Sequence, residues 1–393
     1  MALFLLTALV ISLFASLPGQ ACALAANIAY SRIELTIPVN VSTNTAELNY
    51  DTPKNQTQLT GLIQEFFSAP SNLTALITGT VPLTASYEIY GELYIPKNWN
   101  SSRILEFAVH GSMLDHNYWL IGGAGSMFNY VESAVTAGNA IFVFDRLGNG
   151  KSSKPDGIKE VQAAVHIAII ENLLTYLRTT TIQGFSFKNS RIAGVGHSYG
   201  SVLLANLLAT RPDAFDGVIL TGFTANTGGS PVAGASVGWA FASQSNHTAF
   251  GRSFFAINSY MTTQTSLNLQ QTFFFFPNFP QSTLDFLTEH RGVITVGELL
   301  SNPQALPTNV ASDYVGPVLV VTGDHDFAEC GGENCYQAVP GFSNAMESVR
   351  PLFPNASDFQ TFLAPDSGHC FHAHFSAPQS FKAIHDFISI SFW

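Results

Sequence analysis

The pentapeptide Gly196-His197-Ser198-Tyr199-Gly200 sets a hydroxyl between two glycines, directly after the apolar run Ile192-Ala193-Gly194-Val195. Where a strand runs straight into a helix, a G-x-S-x-G sequence seats its serine on a tight turn, and glycine on either side admits close chain approach. The turn lifts the hydroxyl above the sheet edge and over a helix N-terminus, where developing negative charge is favoured. Gly234-Ala235-Ser236-Val237-Gly238 has the same form, but a Gly/Ser-rich stretch precedes it instead of an apolar strand. Ser198 is therefore the candidate nucleophile, and Ser236 is set aside. A serine hydroxyl attacks poorly without a base to take its proton and an acid to orient that base.

Two later stretches supply the partners. "VLVVTGDHD" ends an apolar run on Asp326, with Asp324 as second choice because the two share a face of an extended chain. "FLAPDSGHC" places His369 immediately after Gly368. The chain order Ser, acid, His is the one expected for a serine on such an elbow. An earlier strand-like run, "ILEFAV", leads into His110-Gly111, so the amides of Ser112 and Tyr199 are the candidate oxyanion donors. His369, His372 and His374 with Asp326 match no zinc-ligand spacing, and His325 and His385 read as structural. "GNGKSS" in the turn after Asp145 has the composition of a phosphate loop, but Asp145 stands where the upstream glycine is required. No cofactor and no metal are expected.

Around these residues the text alternates. "YEIYGELYIP", "RILEFAVHG", "NAIFVFDRLG", "RIAGVGHS", "DGVILTGF", "GPVLVVTGDHD" and "FQTFLAPDSGH" read as strands. "WLIGGAGSMFNYVESAVTAG", "IKEVQAAVHIAIIENLLTYLRTT", "YGSVLLANLLATRP" and "APQSFKAIHDFISISF" read as helices. Continuous Val/Ile/Leu strands alternating with helices predict an α/β fold: a mostly parallel sheet with helices on both faces. The alternation fails over residues 224–315, which predicts an inserted, mainly helical cap between core segments 24–223 and 316–393. Before it, about residues 30 to 80 are Thr/Asn-rich, with one strand-like piece, "SRIELTIPV", and one helical piece, "LTGLIQEFFSA".

Taken together, His110-Gly111, the turn Asp145-Arg146-Leu147-Gly148-Asn149-Gly150 with Ser152, the Ser198 elbow, Gly323-x-x-Asp326 and Gly368-His369 resemble the α/β-hydrolase superfamily. The resemblance covers residues 80–223 and 315–393, and the interval between has the length and place of that superfamily's cap. In style the chain is similar to the secreted, glycosylated members found in filamentous fungi. The resemblance implies acyl transfer to water: Ser198 attacks a carbonyl, His369 takes and returns the proton, and Asp326 steadies the imidazolium. Relatives that open epoxides or remove halogens carry a carboxylate at the elbow, so serine argues against both.

Composition narrows the setting. The chain has 393 residues, 46% hydrophobic and 11% charged, with a formal net charge of −11. Disorder and a nucleic-acid partner are both excluded on that basis. An apolar run over Ala2–Leu17, then Pro-Gly and Ala21-Cys22-Ala23, predicts a signal peptide over residues 1–23 and a secreted product. The run falls short of a bilayer span, so no stable membrane insertion is expected after its removal. Sequons at Asn40, Asn55, Asn72, Asn100, Asn246 and Asn355 agree with glycosylation on export. Cys330, Cys335 and Cys370 would remain after cleavage; "CGGENC" lets the first two meet, yet Cys370 could pair with either. Phe273–Phe276, Phe279 and Phe286 concentrate aromatic surface in the interval, chiefly to pack it onto the core, and Tyr118 and Trp119 are placed to line a pocket. An apolar roof predicts a small hydrophobic ester or lactone as substrate. The alternatives are an acyltransferase or biosynthetic hydrolase, an aminopeptidase-like peptidase using Asp285, Glu289 or Glu298 to hold an amine, and an inactive binding protein.

Overall fold

The computed structural model describes residues 30–68, 73–226, 230–245, 247, 250, 258–305, 310–331 and 334–392. The leader, Cys22 and the sequons at Asn72 and Asn246 lie outside them. The core is an eight-stranded sheet in the order β1-β2-β4-β3-β5-β6-β10-β11. Its strands are β1 (Tyr30–Leu48), β2 (Ile77–Pro96), β3 (Leu105–Val109), β4 (Ala140–Phe144), β5 (Ile192–His197), β6 (Gly217–Thr221), β10 (Val318–Gly323) and β11 (Phe359–Ala364). β1 and β2 pair antiparallel, as do β2 and β4, and the six strands β3, β4, β5, β6, β10 and β11 run parallel to one another. Each of β3, β4, β5, β6 and β10 is buried along its whole length, which is why these strands read as unbroken apolar runs. The one carboxylate among them, Glu106 on β3, is satisfied by Tyr130 Oη at 2.6 Å and Asn139 Nδ2 at 2.8 Å.

The helices are α1 (Gln56–Phe67), α2 (Tyr130–Thr136), α3 (Ala163–Thr179), α4 (Tyr199–Thr210), α5 (Ser230–Ser236), α6 (Ser266–Phe273), α7 (Gln281–Glu289), α8 (Val296–Ala305), α9 (Phe327–Cys330) and α10 (Ala377–Ser391). In α3 the buried residues Val165, Ile169, Ile170, Leu173, Leu174 and Leu177 fall at helical spacing and form one stripe against the sheet. The expected helix over Trp119–Gly138 is much shorter. A 3₁₀ turn, His116–Leu120, leads into a bend with Gly122, Gly123 and Gly125 at φ +77°, +73° and +77°, and only α2 follows. Three glycines in the left-handed region cannot belong to a right-handed helix.

Between β6 and β10 lie α5 to α8. The same stretch also carries a three-stranded antiparallel sheet of β7 (Trp239–Phe241), β8 (Tyr260–Thr263) and β9 (Ile294–Thr295). The expectation of a mainly helical segment missed it because its strands are two to four residues long and pair across distant parts of the chain. Cys330 and Cys335 form a disulfide, while Cys370 is a buried free thiol. Among the described residues no helix is long and apolar enough to cross a membrane.

β3 has β4 on one side and β5 on the other, so the strand order reverses there. In an open α/β sheet, the crevice outside the carboxyl ends of the strands at such a reversal is where ligands bind. His110 follows β3 and Ser198 follows β5.

Candidate active site

Ser198 sits at φ +53°, ψ −120°, a conformation that side-chain-bearing residues rarely adopt. Its amide donates to Thr221 O at 2.8 Å, which ties the elbow to the end of β6. A Cβ on Gly200 would lie 2.0 Å from Val109 O, and one on Gly196 2.6 Å from the Ser201 backbone. The pentapeptide's glycines thus answer to two backbones, β3 in front and the start of α4 behind.

His369 follows β11, and its Nδ1 lies 2.8 Å from Asp326 Oδ2 and 3.0 Å from Oδ1. Asp326 follows β10 and also accepts from Glu329 N at 3.0 Å and Thr322 Oγ1 at 3.3 Å. With Nδ1–H given to the carboxylate, Nε2 keeps the lone pair a base needs. The runner-up Asp324 does different work, accepting from Asp366 N and Ser367 N, each at 3.0 Å, and so holding the loop that carries His369. The serine and the imidazole both lie beside the end of β6. A Cβ on Gly222, next to Thr221, would be 3.1 Å from His369 Cε1, and the His369 and His197 rings are 5.0 Å apart. Residues from the ends of β5, β10 and β11 therefore share one rim of the sheet.

Burial opposes a charge on His369, but the charge and hydrogen bond of Asp326, with the nearby Glu329, outweigh it and raise its pKa above 6.5. A base must be neutral, so kcat/KM for an ester is expected to rise with pH through an inflection above 6.5 and then level off. Asp326→Asn removes the charge that favours the imidazolium. It should move the inflection to lower pH while kcat falls by about 10⁴-fold. An inflection that Asp326→Asn leaves in place would sever Asp326 from the base.

The oxyanion candidates lie beside the serine. A Cβ on Gly111 would be 3.0 Å from the Ser198 Cβ. Tyr199 opens α4, so its N–H has no intrahelical acceptor. Among the described residues neither Ser112 N nor Tyr199 N donates to a protein acceptor. His110 is fully buried, accepts from Arg146 N through Nε2 at 3.0 Å, and gives Nδ1–H to Gly111 O at 2.8 Å. Burial pushes its pKa down to about 3, so it stays neutral.

The inserted stretch grips the loop that carries His369. Cys370 N donates to Phe273 O at 3.0 Å, and Phe375 N to Asn278 O at 3.0 Å. Phe275 N donates to His374 Nε2 at 2.9 Å, and Thr283 Oγ1 to Ala373 O at 2.8 Å. The Phe273 ring stacks on His369 at 5.3 Å, and Phe275 stacks on His325 at 3.7 Å. Phe274 and Phe279 are buried and Phe286 stacks on His290 at 4.2 Å, whereas Phe276 is 73% exposed. Tyr118 and Trp119 do not reach the surface. Both are buried, and Tyr118 is stacked between His197 and His372 beneath the elbow.

His372 and His374 do not join His369 in a ligand set. His374 bonds to backbone groups through both nitrogens, and His372 lies between the Tyr118 and Tyr130 rings. The described residues bring together one trio with metal-ligating atoms, Asp115, His116 and Asp145. There His116 Nδ1 is 2.7 Å from Asp145 Oδ1. Burial disfavours its charge, but Asp145 and Glu92 prevail and push its pKa up to about 10. The turn with a phosphate-loop composition closes on its own aspartate, since Lys151 N donates to Asp145 Oδ2 at 2.8 Å. A cavity of about 410 Å³ opens beside this turn, walled by Asp115, Asn149, Lys154 and Arg291 among others, and none of Ser198, Asp326 and His369 lines it.

A sequence model described as the Alpha/beta hydrolase family matches residues 107–383. A search of curated proteins finds no match. Among solved structures, the chain is similar to a monoacylglycerol lipase of Paleococcus ferrophilus, with 16% identity, TM-score 0.46, and 72% of this chain and 93% of that one covered. It is also similar to a thermophilic esterase of Thermogutta terrifontis, with 14% identity, TM-score 0.46 and 83% and 97% covered. A proline iminopeptidase of Mycobacterium smegmatis shows 18% identity, TM-score 0.48 and 78% and 96% covered.

Proposed function

Because this chain belongs to the alpha/beta hydrolase family, we propose that it is a secreted serine hydrolase that cleaves a hydrophobic carboxylic ester or lactone through an acyl-enzyme. The observation that carries this reading is the strained elbow of Ser198 sharing a rim with His369, whose Nδ1 is bonded to Asp326. Ser198 Oγ attacks the substrate carbonyl as His369 Nε2 takes its proton. The amides of Ser112 and Tyr199 receive the developing oxyanion, and His369 returns the proton to the leaving alcohol. Water then repeats the sequence on the acyl-enzyme.

Phe273 on the face of His369 makes the approach apolar, which supports an acyl ester over a charged metabolite. The peptidase alternative needs a free acid for the substrate amine. Glu298 is not free, being committed to Arg146 and to the first turn of its own helix. Export is supported by the leader sequence and by the exposure of Asn40, Asn55, Asn100 and Asn355, the sequon asparagines among the described residues. Hydrolysis of a graded series of p-nitrophenyl esters against amino-acid anilides tests the choice. Esters should be cleaved faster at equal concentration, and faster anilide cleavage would overturn the ester assignment.

A further inference from the structure

Arg146 is 1% exposed, among the largest side chains buried in the protein, and the acyl-transfer steps give it no task. Its guanidinium is nonetheless fully engaged. Nε donates to His110 O and Nη2 to Gly111 O, each at 3.1 Å, and Nη1 donates to Glu298 Oε1. The guanidinium carbon also lies 4.8 Å from the centre of the Tyr199 ring. One side chain thus touches Gly111, whose carbonyl shares a peptide with the Ser112 N–H, and the ring of Tyr199.

Peptide geometry turns this contact into aim. A peptide unit is planar and trans, so the C=O of Gly111 and the N–H of Ser112 leave one plane in opposite directions. Fixing that carbonyl with Arg146 Nη2 and His110 Nδ1 therefore fixes where the Ser112 N–H points. Gly111 lies against the nucleophile, since a Cβ added to it would be only 3.0 Å from the Ser198 Cβ.

The other end of the clamp belongs to the inserted stretch. Thr295 Oγ1 accepts from Glu298 N at 3.0 Å, and Glu298 Oε2 accepts from Thr295 N at 2.9 Å. This reciprocal cap at the start of α8 leaves Oε1 for Arg146. Burial would raise the Glu298 pKa, but the Arg146 charge and a bond from His166 hold it down to about 2, so the carboxylate stays ionised.

We infer that Arg146, held by Glu298, is a positioning residue for the oxyanion site: it sets the Gly111–Ser112 peptide plane and couples that plane to the first turn of α8. The inference rests on the serine-hydrolase reading, specifically on Ser112 N as an oxyanion donor.

Two variants test it. Arg146→Lys keeps a charge beside Glu298 but loses the fork that spans two carbonyls. Arg146→Met with Glu298→Leu removes both members of the buried pair, so neither charge is left stranded. Each should lower kcat for a p-nitrophenyl ester by about 10- to 100-fold with little change in KM, as expected for a donor turned out of line. Affinity for a boronic acid, whose tetrahedral adduct on serine mimics the charged intermediate, should fall in parallel with kcat/KM. A folded double variant with wild-type kcat, or one whose loss lies in KM while boronate affinity is retained, overturns the inference. Should the double variant fail to fold, the same two measurements on Arg146→Lys decide. Ser198→Ala keeps the premise separate: full turnover in that variant removes the serine-hydrolase reading, whereas a dead Ser198→Ala beside a fully active double variant removes only the role of Arg146.

Discussion

Ser198→Ala is expected to fold as the parent chain does and to lose about 10⁴- to 10⁶-fold in kcat toward esters. The substitution keeps the Ser198 Cβ, and it keeps the elbow bond from the residue-198 amide to Thr221 O. Only the oxygen goes. The positive φ is equally uncomfortable for alanine, so the melting temperature should barely move. A fluorophosphonate probe should label the parent and not the variant. Ser236 supplies the control, since it shares the pentapeptide pattern yet bonds to Ala233 O and Thr272 Oγ1, each at 2.7 Å, in the inserted stretch. Ser236→Ala should keep both labelling and turnover. Ester turnover by Ser198→Ala within tenfold of the parent would end the acyl-enzyme account.

Gly200→Ala should be among the most damaging single methyl additions in the molecule, lowering stability by about 3 kcal/mol or more. The new carbon would sit 2.0 Å from Val109 O and 3.0 Å from His110 O. Both obstacles are main chain at the end of a central strand, so no side chain can swing aside. Relief requires parting α4 from β3, which would also pull the serine out of register with Gly111. Gly61→Ala is the matched comparison, being in α1 with nothing within 4 Å of the added carbon. It should stabilise by about 0.5–1 kcal/mol through helix propensity alone. Urea unfolding of the two variants measures the contrast, and a Gly200→Ala midpoint equal to that of the parent would mean that the elbow is not packed as described.

What could be read from the chain divides along the distance over which each feature is determined. The strand–serine–helix join at Ser198 and the buried runs of β3, β5 and β10 are local, since hydrophobicity and glycine placement within ten residues specify them. The parallel sheet followed from those runs, because a strand with no polar alternation must be covered on both faces. The bend at Gly122, Gly123 and Gly125 was equally local, but apolar residues on either side gave the look of one helix. The three short strands of the inserted stretch left little trace, because each is satisfied by a partner far along the chain. Glu298 shows the same divide inside one residue. One of its oxygens caps its own helix within four residues of sequence, whereas the other pairs with Arg146, joining positions that nothing in the text connects. The Gly323-x-x-Asp326 spacing ranks Asp326 first, and contact shows the difference in their surroundings, one carboxylate meeting the backbone of the His369 loop and the other the imidazole itself.

The seam between Phe273–Thr283 and Cys370–Phe375 has a bearing on how such a protein can diverge. Four hydrogen bonds cross it, and at its edge the Phe273 ring stacks on His369, the candidate base. A lineage exploring new substrates through that inserted stretch cannot redraw one side alone. Change should arrive as matched pairs of substitutions, with the ring at position 273 and the loop around 369–375 inherited as a unit while the rest of the insertion drifts.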